Sequence, residues 1–196
     1  MEQLTQQHTH WYNAIEIIER YPFATMLMQS PQQPYPQAWH LPFLLDSSKQ
    51  FFHGHASANN PLLKGLTAEN SLAVKLIFQA EHGYVSPTLS DDIRVPTWDY
   101  CVVHVQGKLQ LLSDTVERES SMVKQISANE TDWHIDQLDA RLKRQMLSAI
   151  KVLKIDIEAI YGHFKMSQNK SVAAKTAIKA QFERHNKAMA AQYLSF

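Results

Sequence analysis

The run from Tyr100 to Leu112 constrains the fold more than any other segment. Val103, Val105, Leu109 and Leu111 are spaced by two or four residues, a period that places apolar side chains on one face of an extended strand. Gly107 in the middle permits a bulge or bend. Shorter extended runs precede it: Phe23 to Gln29, Trp39 to Leu45, Gln50 to Ala56 and Leu72 to Phe78. Pro31, Pro34 and Pro36 turn the chain between the first two. Phe23 to Leu112 therefore reads as a small, mainly antiparallel β domain, with the segment around His53, Gly54 and His55 as a candidate ligand-binding edge.

Helical spacing frames this region. Trp11, Ile15 and Ile18 share a face between about His10 and Arg20, and Pro22 ends that helix. Asp114 followed by Glu117 has the form of a capping box and starts a helix to about Ala128. A second helix is expected over Ile135 to Lys151, and Ile155 to Ile160 returns to the sheet. Val172 to Tyr193 reads as a long terminal helix, with Ile178, Phe182, Met189 and Tyr193 along one face. The interval Glu81 to Tyr100, punctuated by Gly83, Pro87 and Pro96, reads as irregular.

Charge and cysteine content remove several function classes. Nineteen basic and nineteen acidic side chains give a net charge of zero, so no whole-molecule field draws the chain to nucleic acid or an acidic membrane. At the end of the chain, four Lys and one Arg face Glu183 alone between Lys170 and Phe196. That segment suits a solvated helix or a regulatory contact. Cys101 is the only cysteine, which excludes an internal disulfide and any multi-cysteine metal centre. With no basic leader and no long apolar run, a cytoplasmic protein without a membrane partner is expected.

The segment FFHGHASANNPLLK carries the first cluster of chemical groups. Gly54 permits a close backbone approach, and His55, Ser57 and Asn59 offer hydrogen-bonding groups where a strand yields to a turn. Free backbone amides with Lys64 would suit a phosphate; the plainer alternative is a strand end with a capped turn. His53 and His55 share a face on an unbroken strand, but a third ligand, His40, His82, His104 or an acidic side chain, would have to arrive from elsewhere and no metal motif occurs, so no metal is expected. A second cluster joins HGYVSP to VPTWDY, where Trp98 and Tyr100 suit a planar ring and Ser86 and Thr97 add polar anchors. The alternative is a loop pinned by aromatic burial. Neither Ser86 near His82 nor Cys101 near His104 lies in a nucleophile-elbow pattern, and Cys101 is expected as an inert buried thiol. No catalytic residue is assigned. In the third cluster, Ser167, Gln168 and Asn169 suit a capping turn, a cofactor edge or a subunit contact.

The ordered blocks GHASANNPLLK, HGYVSP, VPTWDY with VVHVQGKL, and GHFKMSQNK together resemble the PaiB-like branch of the flavin-binding split barrels, often labelled FMN-binding negative transcriptional regulators. The resemblance covers the chain from the helix before YPFATM through Lys170. It implies a mainly β fold, a six-stranded FMN-binding split barrel with accessory α-helices over residues 10–170, followed by a helical extension over 171–196. It also implies a homodimer that binds FMN. By similarity His53, Gly54, His55, Ala56 and Ser57 lie beside the ribityl-phosphate, and Lys64 neutralises the phosphate. Tyr84 and Ser86 match a Y-x-S-P element; Thr97, Trp98 and Tyr100 match T-W-N-Y; Gln168 and Asn169 match S-Q-N. The chain departs from the pattern in three places. Asp99 stands for the usual asparagine, Thr88 and Leu89 stand for a tryptophan and tyrosine, and the D-R-x-G-V close is absent.

The resemblance implies a transcriptional or flavin-responsive regulator with a DNA or protein partner. An FMN-dependent oxidoreductase and a flavin-free interaction protein are the competing expectations.

Overall fold

The computed structural model describes residues 2–4, 9–29, 34–64, 66–67 and 69–192. In chain order the elements are β1 (Glu2–Leu4), α1 (Thr9–Arg20), β2 (Phe23–Met28), β3 (Gln37–Pro42), β4 (Leu44–Leu45), β5 (Phe51–Ser57), β6 (Leu72–Val85) and β7 (Thr97–Leu111). They continue with α2 (Thr115–Ser127), α3 (Ala140–Ser148), β8 (Ile150–Lys165), α4 (Val172–His185) and α5 (Lys187–Gln192). Single 3-10 turns at Pro61–Leu63, Pro87–Leu89 and Ile135–Gln137 punctuate the loops.

The sheet runs in the order β3-β2-β6-β7-β8-β5-β4, and β1 pairs with β8. It has eight strands where six were expected. The difference includes β1 and β4, three and two residues long, which are too short for an alternating pattern to register. The chain forms two compact units, one of Met1–Ile17, Gln79–Val103 and Tyr161–Phe196, the other of Ile18–Phe78 and His104–Ile160.

In the larger unit, alternation delivers Ala24, Met26 and Met28 of β2, Val74, Leu76 and Phe78 of β6, and Val105 and Leu109 of β7 to the interior. Phe52 stacks on Phe78 with ring centroids 5.4 Å apart, and Phe43 meets Phe52 edge-on at 6.4 Å. A Cβ at Gly107 would collide with the Asp156 carbonyl, so the glycine admits close backbone approach. In the smaller unit Ala80, Val85, Cys101, Met166, Ala174, Ile178, Phe182 and Met189 are buried. Gly83 lies under the Phe182 ring in the same way.

Several boundaries differ from expectation. Extended structure enters both ends of the segment read as irregular, with β6 running to Val85 and β7 beginning at Thr97, while residues 86–96 between them hold only the turn at Pro87–Leu89. The helix expected over Ile135 to Lys151 is confined to Ala140–Ser148, capped by Asp139, and β8 takes up the chain from Ile150. The terminal helix breaks at Asn186. Its backbone amide donates to the Phe182 carbonyl, while its side-chain oxygen accepts from the Met189 amide at 3.0 Å, closing α4 and opening α5. Tyr193 lies outside the described residues, as does Pro31. The expected helix start at Asp114 is present, with Asp114 Oδ1 accepting from the Glu117 amide at 2.9 Å.

Candidate functional site

The two units each hold part of the expected constellation. In the larger one, β5 turns Phe52, Gly54 and Ala56 inward; a Cβ on Gly54 would lie 2.8 Å from two carbons of the Phe43 ring. The close approach that Gly54 permits is made by the Phe43 ring.

His53 and His55 share the other face, as an unbroken strand requires. Helix α2 meets both. Ser121 Oγ lies 2.9 Å from His53 Nδ1, and Gln125 Oε1 lies 2.8 Å from His55 Nδ1. A carbonyl oxygen only accepts, so His55 Nδ1 carries the donated proton. Gln125 Nε2 donates to Ser121 Oγ at 3.2 Å, joining the pairs into one network. His53 Nε2 has no hydrogen-bond partner; Asp46 Oδ2 stands 3.8 Å away. Burial lowers the His53 pKa, Lys124 adds to that effect, and Asp46 opposes it.

The turn after β5 has no free amide cradle. The amides of Ala58, Asn60, Leu63 and Lys64 bond to backbone carbonyls, while those of Asn59 and Leu62 bond to Ser57 Oγ and Asn60 Oδ1. Residue 61 is proline. The expectation of free backbone donors for a phosphate is thus overturned, because local capping consumes them. Ser57 and Lys64 remain exposed side chains. A cavity of about 500 Å³ beside His53 includes Lys124 and Lys154 in its lining, but their ammoniums pair with Asp46 at 3.4 Å and Asp156 at 2.8 Å. It therefore presents no unpaired cation to a phosphate.

In the smaller unit the Y-x-S-P and T-W-x-Y elements come together at the ends of β6 and β7. The Trp98 ring lies 5.8 Å from Tyr84 and 5.9 Å from His82, centroid to centroid. Trp98 is 52% exposed and Tyr84 43%, so these rings form an open shelf rather than a plug. Thr97 Oγ1 accepts from the Lys165 ammonium. Ser86 caps the following turn, its hydroxyl accepting from the Thr88 amide at 3.2 Å. Tyr100 is half-buried on the same face of β7 as Trp98, while Asp99 and Cys101 are fully buried on the other.

The S-Q-N element is a folded turn. Ser167 takes φ +53°, and its hydroxyl donates to Asp99 at 3.0 and 2.8 Å from the two carboxylate oxygens. Gln168 Oε1 accepts from the Met166 amide at 2.9 Å, and its Nε2 donates to the Phe164 carbonyl. Its amide is thus spent on the turn, whereas Asn169 is exposed. Burial raises the Asp99 pKa, against the opposing effects of Ser167 and Lys165. Lys165 and the Asp99–Ser167 pair were not singled out as site groups in the sequence; the lysine immediately before M-S-Q-N was the available signal.

The exposed aromatic faces of Trp98 and Tyr84 suit a flavin ring system, while Thr97, with the Lys165 ammonium on its hydroxyl, alternates to the other face of β7. Among the described residues no group of three or more His, Cys, Asp or Glu is placed to hold a metal.

Comparison with known proteins gives the same direction. The model of the family described as "Putative FMN-binding domain" matches residues 4–159. The chain is 30% identical over 167 residues to "Protease synthase and sporulation protein PAI 2" of Bacillus subtilis (strain 168), covering 81% of this chain and 79% of that protein. Among solved structures, the FAD and heme binding protein from Mycobacterium smegmatis superposes with a TM-score of 0.59 at 15% identity, covering 90% of this chain and 80% of that one. The flavocytochrome Anf3 from Azotobacter vinelandii gives 0.54 at 15% identity, covering 76% and 65%. The fold is the mainly β flavin-binding split barrel with accessory helices. The chain belongs to the PaiB-like FMN-binding domain family, and FMN is its cofactor.

Proposed function

We propose that this chain is a flavin-responsive regulatory protein of the PaiB-like kind, acting in the cytoplasm as a homodimer. The observation that carries the reading is the pair of exposed rings of Tyr84 and Trp98, centroids 5.8 Å apart. A planar ring stacked on the exposed face of Trp98, which meets Tyr84 edge-on at 69°, gains aromatic contact. FMN supplies reversible electron transfer when bound; the residues here orient it and tune its polarity. Tyr100 extends the same strand face, and Ser86 and Asn169 add polar groups to the same unit. In the larger unit Ser57 and Lys64 are exposed side chains, and His53, Gly54, His55 and Ala56 belong to the strand that ends at Ser57. Gln168 supports the turn that presents Asn169.

Regulation is supported by the relative's name, which ties that protein to protease synthesis and sporulation. The basic helices α4 and α5, with Lys175, Lys179, Arg184 and Lys187, offer a surface for DNA or a regulatory protein. The test is the visible spectrum and flavin content of protein purified without added FMN and after reconstitution, followed by a DNA shift assay of the loaded and stripped forms. Blue absorbance, one FMN per chain and a shift that depends on flavin state are expected. A protein that takes up no FMN, or whose DNA affinity is equal for unrelated sequences in both forms, sinks the reading.

A further inference from the structure

At the end of β6, His82 and Tyr84 are exposed while Gly83 and Val85 are buried on the opposite face. Phe182 of α4 fills the space that Gly83 leaves, since a Cβ there would collide with its ring. The same helix reaches the carbonyls on either side of that contact. Gln181 Nε2 donates to the Tyr84 carbonyl at 2.6 Å, and Asn186 Nδ2 donates to the His82 carbonyl at 3.2 Å. Gln181, Phe182 and Asn186 therefore grip one short stretch of strand backbone from behind, the stretch whose outward rings meet Trp98.

Helix α4 is pinned at its start as well. Asp92, in the loop that leads from β6 to β7, accepts from the Ser171 amide at 2.7 Å with Oδ2, and its backbone carbonyl accepts from the Lys170 ammonium at 2.7 Å. The strand end that carries Tyr84 and the loop that leads to Trp98 are thus tied to one helix, and all of these groups belong to the smaller unit. The contacts begin at Lys170, where the chain leaves the family pattern. Ala174, Ile178, Phe182 and Met189 are buried, while Arg184 and Lys187 are exposed.

Resting on the reading of these rings as the flavin's stacking face, we infer that α4 and α5 form a strap for the aromatic pair. Gln181, Phe182 and Asn186 are positioning residues that hold Tyr84 against Trp98, and flavin binding in turn orders the strap. A ring stacked on Trp98 needs the neighbouring strand backbone held still, and that backbone is held by α4. Linkage makes the effect reciprocal, so bound FMN tightens the helices that carry Arg184 and Lys187. A flavin-responsive regulator thereby has a short route from its cofactor to an exposed basic surface, with no change of fold.

The test removes the two donors and keeps the helix cap. Asn186→Asp retains the oxygen that accepts from the Met189 amide but has no N–H for His82, and Gln181→Leu removes the donor to Tyr84. FMN is titrated into the stripped proteins, and hydrogen exchange of the α4 and α5 amides is followed with and without FMN, with circular dichroism as the check on folding. In the wild type FMN should slow exchange in α4 and α5. The double variant should bind FMN about fivefold or more weakly and lose that protection. In a Tyr84→Ala background the same two changes should cost less than about twofold. Asn186→Asp alone should show part of both effects, which decides the matter if the double variant does not fold. Exchange in α4 and α5 that FMN leaves unchanged, an affinity loss equal with and without the Tyr84 ring, or a lowered melting temperature with full FMN affinity would each overturn the strap. Full affinity in both Trp98→Ala and Tyr84→Ala would defeat the stacking reading and the strap with it, whereas weakened binding in those two and none in the double variant would defeat the strap alone.

Discussion

Both carboxylate oxygens of Asp99 lie within 3.0 Å of one donor, the Ser167 hydroxyl, in a fully buried position. The geometry suits an amide at least as well as an acid: an asparagine would accept from Ser167 with Oδ1 and donate to its Oγ with Nδ2. Burial raises the Asp99 pKa above 3.8. A group raised on folding contributes its full stability below the unfolded value and loses it as pH rises through the folded value. Asp99→Asn should therefore stabilise the protein near neutral pH, with the gain shrinking as pH falls toward 3.8. Urea unfolding of both proteins across pH checks this. Asp99→Ala should instead lose about 1–3 kcal/mol by stranding Ser167.

His53 gives the opposite pH dependence. Its pKa is lowered from 6.5 chiefly by burial, so the folded state resists protonation. Its contribution is present above 6.5 and is lost as pH falls from there through the folded value. Each unit of depression corresponds to about 1.4 kcal/mol. Denaturant midpoints at pH about 8 and about 5 should differ in the wild type, and His53→Gln, which keeps a polar partner for Ser121, should flatten that part of the profile. An unchanged slope in the variant would remove His53 as the source.

These pairs also show what local sequence carries and what it leaves out. Alternation put His53 and His55 on one face and Val103 and Val105 on another, because side-chain period is a property of a single strand. The capping residues Asp114 and Glu117 announced the start of α2 for the same local reason. Nothing local says that α2 lies over β5, so Ser121 and Gln125 were invisible as partners of the two histidines. Gly54 was legible as a place of close approach, but its neighbour Phe43 is eleven residues away and reaches it through the β4–β5 pairing. The meeting of the aromatic rings was legible from HGYVSP and VPTWDY; the lysine that donates to Thr97, Lys165, arrives from β8, across a separation of sixty-eight residues.

The contact at Gly54 makes a stability prediction. Phe43 is 1% exposed, and an alanine Cβ at position 54 would stand 2.8 Å from its ring. The ring cannot swing into solvent, so Gly54→Ala should cost about 1–3 kcal/mol by overpacking. At about 2–4 °C per kcal/mol for a chain of this size, thermal melts resolve that loss. Phe43→Leu in the same chain should recover part of it. A Gly54→Ala protein with wild-type melting temperature would show that the strand shifts freely.

Trp98 separates binding from stability. With half of its surface exposed, Trp98→Ala should change unfolding free energy by no more than about 0.5 kcal/mol. If the shelf takes the flavin ring, the same change removes a stacking face worth about 1–3 kcal/mol, an FMN affinity loss of roughly fivefold to more than a hundredfold. Trp98→Phe keeps a face and should retain most of the affinity, while Tyr84→Ala should weaken binding in the same direction. Fluorescence titration of FMN into the stripped proteins gives the dissociation constants, and circular dichroism reports whether each variant is folded. Folded Trp98→Ala protein that binds FMN as tightly as wild type would move the ring off this shelf.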